Sequence, residues 1–123
     1  MCHAPLMALS ILIVDDHAAF RSFARALLES HGFRVVGEAA DAASALDAAA
    51  RLHPDVVLLD VQLPDGDGFA VAKRLAGGPD PPRVVLVSSR AASVYRRRLG
   101  QTRARGFIPK DELTGERLAG LVT

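Results

Sequence analysis

The chain has no tryptophan, one tyrosine and one cysteine in its 123 residues. The lone thiol, Cys2, excludes an internal disulfide and fits a reducing cytoplasm. No apolar run approaches the roughly 20 residues of a membrane span. The opening Met1-Cys2-His3-Ala4-Pro5 lacks the charged-then-apolar layout of a signal peptide. Residues 1–8 therefore read as a flexible leader, and 9–123 as one domain. An excess of one charge is also missing. With 15 basic and 14 acidic residues the net charge is +1, so no global field calls for nucleic acid or a membrane. What is plentiful is apolar: 50 % of residues, which excludes disorder and supports one packed core.

Five apolar runs read as strands: Ser10–Val14, Phe33–Gly37, Asp55–Leu59, Arg83–Val87 and Gly106–Pro109. Most are rich in Val, Ile and Leu without alternation, as in strands covered on both faces. Arg34 interrupts the second, which suits a place nearer the edge. Helical spacing lies between the runs. Phe20, Phe23, Ala24, Leu27 and Leu28 form one stripe, stopped by Gly32. Ala42, Ala45, Leu46, Ala49 and Leu52 form the next, with Asp41 as N-cap and Pro54 beyond its end. Val71, Ala72 and Leu75 mark a third helix, residues 91–99 a fourth and 113–122 a fifth. Strand and helix alternate five times, which implies a parallel sheet with helices on both faces, an α/β architecture.

The first strand ends on Asp15-Asp16 and the third on Asp60. The C-terminal edge of an open parallel sheet is where ligands bind. Three carboxylates gathered there repel one another unless a hard divalent cation joins them. Ser88 ends the fourth strand with a hydroxyl donor, and Lys110 follows the fifth with a compact positive charge suited to phosphate. Pro64, Gly66 and Gly68 build a tight turn, which brings the backbone carbonyl near Gln62 toward the metal shell. These are the parts of a phosphoryl-transfer site with Asp60 as nucleophile.

With Val14-Asp15-Asp16, Leu58-Leu59-Asp60, Leu63-Pro64-Asp65-Gly66-Asp67-Gly68, Val87-Ser88-Ser89 and Phe107-Ile108-Pro109-Lys110 in order, the chain resembles the receiver domain of two-component response regulators, the CheY-like superfamily. The resemblance implies a five-stranded parallel sheet of flavodoxin-like order 2-1-3-4-5 in three layers. It implies that Asp60 is the phosphoacceptor and that Asp15, Asp16, Asp60 and the Gln62 carbonyl hold Mg²⁺, with Mn²⁺ as a substitute. Asp16 is the more direct ligand of the first pair. Ser88 becomes the switch hydroxyl, Lys110 the phosphate-sensing lysine and Phe107 the switch aromatic, although phenylalanine has no hydroxyl to donate. Asp111 stands where many receivers carry proline. Gln62 and Arg90 flank the phosphoryl group and tune its lifetime; a solvated loop arginine is the equally open reading of Arg90. The implied partner is a sensor histidine kinase or phosphotransfer protein. The output face is the fourth helix, fifth strand and fifth helix; that face, or the first and fifth helices, is where a homodimer would form. The ending Lys110-Asp111-Glu112-Leu113 resembles receivers attached to a helix-turn-helix output domain of the NarL/LuxR type, hence control of transcription by a cytoplasmic protein. The domain itself then binds neither DNA nor membrane, and is a signalling module rather than an enzyme.

Other readings weigh less. A calcium loop starting at Asp65 or Asp60 needs a twelfth-position glutamate, and finds Ala76 or Val71. A stand-alone phosphohydrolase wants its nucleophile inside an Asp-x-Asp-Gly turn, and lacks a cap domain. A receiver that works without phosphorylation remains open. Arg96, Arg97, Arg98, Arg103 and Arg105 form a basic band that reads as a solvated or docking face, answered by Asp111, Glu112 and Glu116. His17, His31 and His53 read as surface residues at loops and helix ends.

Overall fold

A computed structural model describes residues 9–123; the expected leader, 1–8, lies outside the described residues. Five strands form one sheet: β1 Ser10–Val14, β2 Arg34–Ala39, β3 Val56–Asp60, β4 Arg83–Ser88 and β5 Gly106–Pro109. All pair in parallel, in the order β2-β1-β3-β4-β5. This is the flavodoxin-like order, and the strand bearing Arg34 is at an edge. The second strand starts one residue later than its apolar run and continues through Gly37 to Ala39. A register shift between Ile11 and Leu12 absorbs Val36, so Gly37 sits inside the strand rather than ending it.

Alternate side chains of the central strands feed two cores. Leu12, Val14, Val57, Leu59, Val84 and Leu86 pack beneath α2 (Ala42–Leu52) and α3 (Gly68–Ala76). Ile11, Ile13, Val56, Leu58, Val85 and Val87 pack against α1 (Ala18–Ser30) and α5 (Gly115–Val122). Each of β1 and β3 is buried along its whole length, as the unalternating runs require. Gly32, at φ 101°, ends α1 in the left-handed region that glycine alone occupies at little cost. Asp41 caps α2 by accepting the N–H of Ser44.

The fourth helix departs from its expected length. Residues Ala92–Tyr95 form a 3₁₀ turn, and only Arg96–Leu99 (α4) is α-helical. Ala91 offers no side-chain cap, and Ser93, Val94 and Tyr95 are weak helix formers. Tyr95 is instead turned into the core. Between β3 and α3 the chain makes a two-stranded hairpin, pairing Gln62 with Asp67 and Leu63 with Gly66. Its acids are caps, not calcium ligands: Asp65 accepts N–H groups of Ala42 and Ala43, and Asp67 that of Ala70. The basic band is also answered differently than its sequence neighbours suggest. Among the described residues Arg98 pairs with Asp67, while Glu112 pairs with Arg117; Asp111 and Glu116 form no ion pair.

Candidate functional site

The chain leaves β1 toward β2 on one side and returns through β3 on the other, so the order reverses between β1 and β3. Ligands bind at such a point, outside the strands' carboxyl ends. Asp15 follows β1 and is fully buried; Asp60 ends β3 at 3 % exposure. Ligand atoms of Asp15, Asp16, His17 and Asp60 all lie within 4.8 Å of one another. Lys110, entering from the end of β5, places Nζ 2.6 Å from Asp15 Oδ2 and 3.3 Å from Asp60 Oδ2. The first contact is charge on charge with poor hydrogen-bond aim, and Asp15 Oδ2 has no other polar partner. Asp60 Oδ1 accepts the N–H of Gln62 at 3.2 Å.

Burial first, and the Asp15 charge second, raise the Asp60 pKa above the ordinary carboxylate value; Gln62 and Lys110 only partly counter them. Burial alone would lower the Lys110 ammonium, but the Asp15 and Asp60 carboxylates outweigh it and hold its pKa above the ordinary value. The pocket thus contains more negative charge than its one lysine neutralises. A buried Asp15 oxygen whose one polar neighbour is the Lys110 ammonium, together with three convergent carboxylates, suits a hard cation with oxygen ligands.

Two neighbours were not legible as site residues. His17, although 68 % exposed, turns Nδ1 to within 3.0 Å of Asp15 Oδ1 and 3.1 Å of Asp16 Oδ1. Phe20, expected only in a helix stripe, lies under the Lys110 ammonium at 4.7 Å. Ser88 ends β4 beside the site, buried at 1 % exposure. Its Oγ lies 3.2 Å from the Tyr95 hydroxyl and accepts the Arg90 N–H at 3.0 Å. The Arg90 side chain is exposed and makes no hydrogen bond or ion pair among the described residues. Phe107 is half-buried on β5, its ring 5.9 Å from that of Tyr95.

The Asp15 loop is also tied from behind. Arg21 donates to the Asp15 carbonyl at 2.7 Å and to Glu38 at 2.9 Å, and Arg25 donates to Glu38 at 2.7 Å. The Arg25 hydrogen bond, followed by Arg21, holds the Glu38 carboxyl below its ordinary value. A depressed carboxylate stabilises the fold above its unfolded-state pKa and loses that effect as pH falls through the folded one. Glu38→Gln is expected to lower stability at pH 7 by less than about 1 kcal/mol, since the pair is partly exposed. Thermal melts of the two chains should converge in acid; a gap unchanged at low pH would rule the pairing out as its source.

A doubly wound parallel sheet with buried carboxylates and a lysine at its reversal point defines an open α/β class with a charged site at the strands' carboxyl ends. Residues 11–122 match the response regulator receiver domain as a family. BvgA of Bordetella pertussis, named as a positive transcription regulator of virulence factors, is 36% identical over 102 residues, 83% of this chain and 49% of the relative. The chain spans about half the length of the curated transcription regulators it matches. The receiver domain of NarL from Mycobacterium tuberculosis is 37% identical, with a TM-score of 0.79 over 94% of this chain and 93% of that one. The receiver domain of Thermotoga maritima CheB is 28% identical, with a TM-score of 0.75 over 92% and 89%. The chain belongs to the response regulator receiver family. Receiver domains hold Mg²⁺ at an acidic pocket, and Asp15, Asp16 and Asp60 supply one here.

Proposed function

We propose that this receiver is a phosphoacceptor switch, with Asp60 as the residue modified. The supporting observation is the placement of Asp60 at the sheet's reversal point, buried beside the Asp15 carboxylate with the Lys110 ammonium shared by the two. A carboxylate whose negative charge is poorly compensated gains from a bound cation, and its ionised form is the nucleophile that phosphoryl transfer needs. An Asp60 oxygen forms the O–P bond as the P–N bond to a donor phosphohistidine breaks. The departing nitrogen keeps the electron pair and takes a proton. Asp15, Asp16, Asp60 and the Gln62 carbonyl are the residues that would hold Mg²⁺, or Mn²⁺ in its place. When bound, the metal neutralises charge on the transferring phosphoryl oxygens. Lys110 balances the same charge from the opposite side, and Ser88 bonds a phosphoryl oxygen. Gln62 and Arg90 border the acyl phosphate and set its lifetime.

The donor is a sensor histidine kinase or a phosphotransfer protein. Phosphorylation biases a two-state equilibrium that reaches Phe107 and the α4-β5-α5 face. That face, or α1 with α5, is where a second copy would dock. The likeness to BvgA supports a role in transcription, with DNA contacted by a region other than this domain; the location that goes with such a role is the cytoplasm. Among the described residues no helix is long and apolar enough to cross a membrane.

Incubation with acetyl phosphate and Mg²⁺ is expected to add the mass of one phosphoryl group to the intact chain. EDTA should prevent the gain and Mn²⁺ should restore it. No gain with either metal sinks the reading.

A further inference from the structure

Tyr95 ends the 3₁₀ turn at 9 % exposure, and its hydroxyl shares a hydrogen bond with Ser88 Oγ at 3.2 Å. Ser88 Oγ also accepts the backbone N–H of Arg90. One hydroxyl has one proton and two lone pairs. Ser88 Oγ takes the Arg90 N–H on a lone pair; when it donates to the Tyr95 oxygen, no proton is left for a third group. The Tyr95 ring is held between Phe69, 5.8 Å away, and Phe107, 5.9 Å away. Phe107 has no hydroxyl of its own, so the polar contact with Ser88 comes from a different element, the turn before α4.

We propose that Tyr95 is a positioning residue for Ser88: its phenol holds the Ser88 hydroxyl toward the fourth-helix segment and must release it before Ser88 can bond a phosphoryl group on Asp60. The inference rests on the phosphoacceptor reading above. It also gives the release an outward route. Phe69, on the far side of Tyr95, lies under the Arg98 guanidinium at 4.3 Å, and Arg98 pairs with Asp67. Phe69 and Arg98, with Lys73 and Arg103, line a cleft of about 630 Å³. Tyr95 itself does not line the cleft but packs against Phe69, which does. The two states differ by a defined contact, the Tyr95–Ser88 hydrogen bond, and the phosphoryl group competes for the same hydroxyl.

The chain has one tyrosine and no tryptophan, so its intrinsic emission reports on Tyr95 alone. Beryllofluoride with Mg²⁺ serves as the phosphoryl mimic. Its addition is expected to change Tyr95 emission in the parent chain and leave Asp60→Asn unchanged. Ser88→Ala should shift the emission with no ligand present, because the phenol has lost its partner. Tyr95→Phe keeps the ring and removes the hydroxyl. It should tighten beryllofluoride binding and speed phosphorylation by acetyl phosphate about fivefold, the equivalent of one net hydrogen bond of ~1 kcal/mol. A hydroxyl that served packing alone would not raise either quantity. Emission unmoved at saturating beryllofluoride in a chain that gains phosphoryl mass overturns the inference and leaves the phosphoacceptor reading standing. So does a Tyr95→Phe chain phosphorylated at the parent rate. Absence of any mass gain in the parent overturns both.

Discussion

The Asp60→Asn chain is expected to take up no phosphoryl group and, free of divalent metal, to melt at a higher temperature than the parent. The first half follows from the reacting oxygen, since an amide is too poor a nucleophile for phosphorus. The second follows from the site's electrostatics. Burial and the Asp15 charge raise the Asp60 pKa, so at neutral pH the fold holds an ionised group against its preference. A raised carboxyl favours the fold at low pH and loses that advantage as pH climbs from the ordinary carboxylate range through the raised value. The stability gap between variant and parent should therefore open with rising pH and close in acid. Lys110 is not stranded by the change, because Asp15 remains 2.6 Å away. In a domain of this size 1 kcal/mol moves the melting temperature by roughly 4 °C, so calorimetry resolves the effect. A variant less stable than the parent at pH 7 would contradict this account of the pocket, and one that still gains phosphoryl mass would relocate the acceptor.

Gly68→Ala is expected to cost about 2–3 kcal/mol, within the range for overpacking a rigid site. A methyl group at position 68 meets the carbonyl oxygen of Asp60 far inside van der Waals contact and the Val61 Cα at 3.0 Å. Both are backbone, so no flexible side chain can swing aside. The Gly68 N–H also donates to the Val61 carbonyl at 2.7 Å, which pins the start of α3 to the strand end bearing Asp60. The added methyl must push that strand end, so phosphorylation should slow along with the loss of stability. Gly66, in the same hairpin, is the control. Its added methyl would reach only the Ala42 Cβ at 3.8 Å. Thermal melts showing equal losses for Gly66→Ala and Gly68→Ala would rule out the close approach as the cause.

The four strand-end charges were legible because a buried parallel strand announces itself by an unbroken apolar run, and its last residue names the sheet edge. Ile11–Val14 and Val56–Leu59 end on the acids with no ambiguity. The contributions of Tyr95, His17 and Phe20 were not legible, for different reasons. Tyr95 sits on a turn whose sequence suggested a helix, and its inward direction depends on a partner seven residues away in a different element. His17 is one residue past the acidic pair, but spacing says nothing of which way an exposed cap residue turns its ring. Phe20 belongs to a stripe that fits helical packing, and its contact with Lys110 joins α1 to the end of β5, far apart in sequence. The basic band failed as a charge argument because ion pairs form through space: Arg98 found Asp67, distant in sequence, rather than the nearby Asp111 or Glu116.

The ion contacts of Lys110 have a kinetic side. Asp60 is 50 residues from Lys110 along the chain, and Asp15 farther still. The three arrive on β1, β3 and the end of β5, so the pocket closes only when the last strand joins the sheet. Parallel pairings between distant segments form slowly, because loop-closure entropy is lost before their contacts form. A chain still emerging from synthesis, or one opened at β5, carries its acids without their lysine. On the phosphoacceptor reading, the site is complete only once β5 has joined the sheet.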